Sequence, residues 1–119
     1  MTQYNDIVKT EINIVDLLKS YSVCSTFLRS QEYAKEYFDP YDTQKLEKKA
    51  LYTARMHAIE ATISLLEPSA EYTLLHLHYI KGIPVEKCAE CMLISRRTAF
   101  RMLKRAHKYL YELVNKKGA

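Results

Sequence analysis

The chain has 119 residues, enough for one domain with a real core and too few for two independent ones. Only two Gly and three Pro, with no run of alternating β-branched residues, predict an all-α protein. No apolar stretch approaches the ~20 residues of a membrane span, and "MTQYNDIVKT" lacks the basic and apolar regions of a signal peptide, so a cytoplasmic protein with no membrane partner is expected. Three Cys, an odd number at low density, argue against a disulfide framework. The net charge of +4 is unevenly placed: residues 1–80 carry 8 basic and 11 acidic side chains, whereas residues 81–119 carry 10 basic and 3 acidic. The positive charge thus lies in the last third, where a polyanion would gain affinity by releasing counterions.

From about Thr2 to Ser20, Ile7, Ile14, Leu18 and Tyr21 share one helical face, with Ile12 and Val15 widening it. A second helical stretch, about Thr26 to Phe38, carries Phe27, Tyr33, Tyr37 and Phe38 and stops where Pro40 restricts Asp39. Tyr21 to Ser25 reads equally as a break or as continuing helix. Thr43 is the expected N-cap of a third, long helix reaching about Glu67. Along it Leu46, Ala50, Ala54, His57 or Ala58, Ala61 and Leu65 recur at spacings of three and four, which is what helix packing demands, so this stripe is expected in the core.

After Pro68 short helical words alternate with turn signals. Ser69 is placed to cap "AEYTLLHLHYI", with Leu74, Leu75 and Leu77 as buried positions and Gly82 as a left-handed terminator. "PVEKCAECM" opens with Pro84, tolerated at a helix start because its missing donor would be unpaired there anyway. "MLIS" is a tight turn, and Ser95 caps the last helix. Two short helices joined by a turn, the second strongly basic, is the layout of a helix-turn-helix. In the first, Val85, Cys88, Ala89 and Met92 share a face, and Ile94 plugs the junction. In the second, Ala99, Met102, Leu103, Ala106, Leu110 and Leu113 form the inward stripe, leaving Arg96, Arg97, Arg101, Lys104, Arg105 and Lys108 outward.

Arg96, Arg97, Thr98 and Arg101, near the N-terminus of that helix, are the base-edge candidates, since a guanidinium donates two hydrogen bonds to guanine. Ser95, Lys87, Lys104, Arg105 and Lys108 are the phosphate candidates, which fix position without reading sequence. Phe100 lies between the two stripes, and packing is the expected role for an aromatic there, with contact to a thymine methyl as the other.

"YIKGIPVEKCAECMLISRRTAFRMLKRAHKYL" resembles region 4 of sigma-70 family transcription factors, with Tyr79, Gly82, Glu86, Ala89, Ser95, Thr98, Arg105 and Ala106 matching its pattern. The likeness covers about residues 67–113, and the short chain with a preceding long helix is similar to small phage-encoded late-gene regulators of the ArpU and RinA kind. The resemblance implies promoter-like double-stranded DNA as ligand and RNA polymerase as a further partner. It divides the chain into 1–66, a helical region for packing, homo-oligomerisation or partner binding, and 67–119, the helix-turn-helix. Two positions depart from the family. Leu93 stands where Gly is usual, at a cost of roughly 1 kcal/mol if left-handed, so a reshaped turn is the alternative. Cys88 stands where Ile is usual. Nothing resembles sigma region 2, so promoter melting by this chain is not implied.

His76, His78, Cys88 and Cys91 are zinc-ligand types at poor spacing, because His76 and His78 diverge on a helix and Cys88 is wanted in the core, so no metal is expected. The acids Glu32 with Glu36 and Asp39 with Asp42 fall on helix surfaces or a turn, and there is no Gly-rich phosphate loop. An enzyme and a cofactor are therefore not expected. Two alternatives stay open beside the regulator: a DNA-packaging subunit like the small terminases of phages, and a helical protein–protein adaptor whose basic helix is only a solvated face.

Overall fold

A computed structural model describes residues 13–33 and 42–115, and among these residues the regular structure is entirely helical. Ile7 and Ile12 of the expected first stripe, and Tyr37 and Phe38 of the second stretch, lie outside the described residues.

Helix α1 spans Ile14–Tyr33. Asn13 starts it, its side-chain oxygen accepting the backbone N–H of Asp16 at 3.1 Å. Ile14, Leu18 and Tyr21 are buried as the periodicity predicts, and Cys24 extends the row. Tyr21 to Ser25 is continuous helix, so the two N-terminal stretches are one element where described. Three of its four serines, Ser20, Ser22 and Ser30, each donate to a carbonyl three residues back, on Leu17, Lys19 and Phe27, and so fit within it.

Helix α2 spans Thr43–Ser64. Its N-cap is Asp42, not Thr43: the Asp42 carboxylate accepts the Lys45 N–H at 3.2 Å, leaving Thr43 as the first helical residue. The expected core stripe is a second correction. Leu46, Ala50, Ala54, His57, Ala58, Ala61 and Leu65 are all exposed, whereas Ile59 and Ile63 are fully buried, with Met56 half-buried beside them. Two apolar rows run along this helix on opposite sides, and periodicity alone cannot say which one a neighbour covers. α1 covers the β-branched row. The two helices are antiparallel: Tyr21 donates to the Glu60 carboxylate at 3.0 Å, while Phe27, later in α1, meets Tyr52, earlier in α2, edge-on at 4.9 Å between centroids.

Helix α3, Ala70–Leu75, is capped by Ser69, whose hydroxyl accepts the Tyr72 N–H at 3.2 Å, and widens into a π turn over His76–Ile80. The Lys81 N–H closes that turn on the His76 carbonyl at 3.0 Å, and Gly82 follows with φ 73°, the left-handed conformation expected of it. Helix α4 spans Val85–Met92 and α5 Arg96–Asn115. Pro84 stands one residue before the first helical position of α4.

Ile14, Leu18 and Tyr21 of α1, Ile59 and Ile63 of α2, Leu75 of α3, and Ala106 and Leu110 of α5 form the main core cluster, which draws on residues both before and after residue 66. Two smaller clusters lie toward the other end of α5, one of Leu74, Cys88 and Met102 and one of Val85, Ala89 and Ala99. Leu103 is half-buried and packs against all three. α5 is therefore the spine that ties the α4 junction to the α1–α2 pair.

Candidate nucleic-acid interface

The turn between α4 and α5 keeps its left-handed residue although that residue is Leu. Leu93 has φ 59° and ψ 42°, its N–H donates to the Glu90 carbonyl at 3.2 Å, and the Ile94 N–H reaches back to the Ala89 carbonyl at 3.0 Å. These two bonds satisfy carbonyls that the helix end would otherwise leave open, which offsets the steric cost of a left-handed side chain. Ile94 then packs against Val85, Ala89 and Ala99, the apolar contact that completes such a terminus. Because Ala89 and Ala99 carry only a methyl group, the two helices meet closely at this point.

Ser95 caps α5: its hydroxyl accepts the Thr98 N–H at 3.0 Å and donates to Thr98 Oγ1 at 2.8 Å. From there the residues sort by face. Ala99, Met102, Ala106 and Leu110 are buried. Arg97, Arg101, Lys104 and Lys108 are exposed, and at about 100° per residue they lie opposite that buried row. With a rise of about 1.5 Å per residue, the basic row is roughly 16 Å long. Among the described residues no carboxylate lies within ion-pair distance of Arg97, Arg101 or Lys104. Leu113, expected inward, is half exposed instead: the seam follows the four-residue row from Met102 through Ala106 and Leu110 to Val114, drifts round the helix, and leaves Leu113 outside.

The remaining candidates are held by neighbours. Arg96 lies toward α4, 3.9 Å from the Glu86 carboxylate, with its guanidinium 6.0 Å from the centre of the Phe100 ring. Phe100 is itself 44% exposed, so the expected packing role is corrected: it sits on the surface beside the arginines because α4 and α3 cover only the Ala99–Met102 side. Thr98 is engaged in the cap. Lys87 pairs with Glu90 on the exposed side of α4 at 3.6 Å. Arg105 Nε donates to the Glu71 carboxylate at 2.9 Å, tying α5 to α3. Burial alone would raise the Glu71 carboxyl, but hydrogen bonds from its own backbone, from Arg105 and from Ser69, with the Arg105 charge, hold it below the usual carboxylate range.

A second link joins the π turn to α5. The Tyr79 hydroxyl lies 2.8 Å from His107 Nε2. Burial pushes the Tyr79 phenol up to about 12, so it keeps its proton. Burial, with His78 and Lys19 nearby, lowers His107 below the ordinary 6.5, so its imidazole is neutral and accepts. His78 Nδ1 lies 2.8 Å from the Ile83 carbonyl and donates to it. These cross-element partners, Glu71 with Arg105 and Tyr79 with His107, carry no signal in the sequence, since each pair is about 30 residues apart and unpatterned. Cys88 is fully buried, with its thiol donating to the Ile83 carbonyl at 3.5 Å and raised by that burial and by Cys91. Cys91 is exposed, and among the described residues no three His, Cys, Asp or Glu side chains converge on one point. A groove of about 490 Å³ between α1 and α2, lined by Leu28, Arg29, Glu32, Lys49 and Met56 among others, lies away from the basic row. Among the described residues no helix is long and apolar enough to cross a membrane. Compared with known proteins, the chain matches no family model, no curated protein and no solved structure.

Proposed function

We propose that this chain is a sequence-specific, double-stranded-DNA-binding transcriptional regulator, reading DNA with α5 in a helix-turn-helix resembling sigma region 4. The observation that carries the reading is the row Arg97, Arg101, Lys104 and Lys108, exposed opposite the buried row Ala99, Met102, Ala106 and Leu110. A B-form major groove about 12 Å wide admits one α-helix, and a helix lying in it must present donors outward while its other side stays anchored to a core. Arg97 and Arg101, within the first two turns, are the base-reading pair. Lys104 and Lys108, further along, meet phosphates. Arg96, drawn toward Glu86, and Lys87, paired with Glu90, sit at the flank and serve phosphate contact. Arg105 is committed to Glu71 and acts by orienting α5. The setting is cytoplasmic, where three free cysteines suit a reducing compartment, and promoter DNA with RNA polymerase as a further partner follows from the sigma-like segment.

Selection of bound sequences from a random duplex pool, followed by affinity measurement across a salt series, tests this. The preferred site should emerge, with affinity falling steeply as salt rises. Arg97→Ala and Arg101→Ala should each cost about 1–3 kcal/mol on the preferred site and relax the preference, while Lys108→Ala should weaken all sequences alike and lower the salt slope by about one. Equal losses on selected and random DNA for both arginines would remove the base-reading claim. Absence of any duplex binding at low salt would remove the function.

A further inference from the structure

The stripe on α2 that the core leaves uncovered has the properties of a self-complementary surface. Leu46, Ala50, Ala54, His57, Ala61 and Leu65 follow one another at spacings of four, four, three, four and four, all exposed, with Leu46 at 43% and Leu65 at 56%. Leu51, also 56% exposed, widens the stripe on one side together with Ala58. A helix that already buries Ile59 and Ile63 against α1 gains nothing in an isolated chain by carrying a second apolar row into water.

We propose that a second copy of this chain covers the stripe, with the two α2 helices antiparallel about a two-fold axis. Three observations select that occupant and that direction. First, the order Leu-Ala-Ala-His-Ala-Leu is nearly the same read from either end. A two-fold therefore sets Leu46 against the partner's Leu65 and Ala50 against the partner's Ala61, with Ala54 and His57 meeting across the axis. Second, three alanines sit between the leucines, and each His57 faces the partner's Ala54, so the axes can pack within the usual range of about 8–10 Å while the leucines close the two ends. Third, the charges on one flank of the stripe match in this arrangement. Lys49 and Glu60 lie along one edge of the stripe, and the two-fold brings Lys49 to the partner's Glu60 and Glu60 to the partner's Lys49. A parallel two-fold pair would instead set the Lys49–Glu60 edge of each helix against the partner's Leu51–Ala58 edge. Glu60 uses Oε2 for the Tyr21 hydroxyl, which leaves its other oxygen for the lysine. On the opposite edge, which also carries the exposed Glu47, Leu51 comes nearest the partner's Ala58. A single helix pair covers less than the ~800 Å² per partner of a standard interface, so the association is expected at micromolar protein. It stands independently of DNA binding.

Multi-angle light scattering and sedimentation equilibrium on the full chain, from 1 to 100 µM, test it, with circular dichroism confirming unchanged helix content in every variant. The wild type is expected to reach a dimer within that range. A50E/A61E places Glu opposite Glu at two symmetric points and should leave a monomer, weakening association at least tenfold. A50E/A61K places Glu opposite Lys only in the antiparallel register and should restore the dimer, while in a parallel pair it would set like charges together. A wild type that stays monomeric at 100 µM overturns the proposal, as does an assembly larger than two or a dimer indifferent to A50E/A61E. A monomeric A50E/A61K overturns the antiparallel register.

Discussion

α2 and α5, of 22 and 20 residues, both send one apolar row into the same core cluster, α2 through Ile59 and Ile63 and α5 through Ala106 and Leu110. They differ in what the other side carries. Opposite its buried row α5 shows Arg97, Arg101, Lys104 and Lys108, whereas α2 shows Leu46, Ala50, Ala54, Ala61 and Leu65. Where one side of a helix is charged, the hydrophobic pattern has a single solution, and the inward side can be read from spacing. Where both sides are apolar, two solutions compete and the choice falls to the neighbouring helix. The contrast also separates the partner chemistries proposed for the two helices, a polyanion for α5 and an apolar surface for α2.

The strongest test of that contrast compares leucines from the two rows. Leu110→Ala removes a fully buried side chain shared by α1, α2 and α5 and should cost about 2–5 kcal/mol in urea unfolding. Leu65→Ala, in dilute protein, should change the same measurement by less than about 0.5 kcal/mol because more than half of that residue is already exposed. A comparable loss from both would mean that the α2 stripe is covered within one chain.

Smaller effects probe the junction that makes the basic side of α5 what it is. Ser95→Ala should lower stability by about 1 kcal/mol through the lost cap on Thr98, and Ser95→Asp should recover most of it. Leu93→Gly should do the reverse, stabilising by up to about 1 kcal/mol, since the turn keeps φ 59° and the leucine, 92% exposed, gives up little packing. An unchanged or lowered midpoint for Leu93→Gly would show that the exposed leucine holds the turn by contact. The smallest effect concerns His107. Its folded value is depressed below 6.5, so as pH falls through the unfolded value the unfolded chain takes the proton first, and stability present at pH 7.5 declines toward pH 5. His107→Gln should flatten that decline, which a series of unfolding curves across this range would show.

Much of the C-terminal half was legible because its signals are local. The Ser69 and Ser95 caps, left-handed Gly82, the Val85–Cys88–Ala89 face and the Ala99–Met102–Ala106–Leu110 row all rest on contacts within a few residues or on one helical period. Leu93 belongs partly here: its place at the turn was visible, but whether a leucine would accept the left-handed conformation depended on the two backbone bonds that Leu93 and Ile94 make to α4. The N-terminal half was less legible for the same physical reason in reverse. Whether Tyr21 to Ser25 breaks depended on Cys24 finding a buried place, and the cap of α2 depended on which of two adjacent capping residues took the extended conformation.

The amino-acid order by itself determined that the chain is helical, where the three C-terminal helices begin, and that its last third carries the positive charge, because propensity, capping and composition act over a turn or two. Only the tertiary structure decided which apolar row of α2 is core, that Phe100 and Leu113 face outward, and that Arg105 and Arg96 are drawn to Glu71 and Glu86 while Arg97 and Arg101 are left to the surface. Those outcomes turn on which helix lies against which, and burial is a property of the pair rather than of either sequence segment.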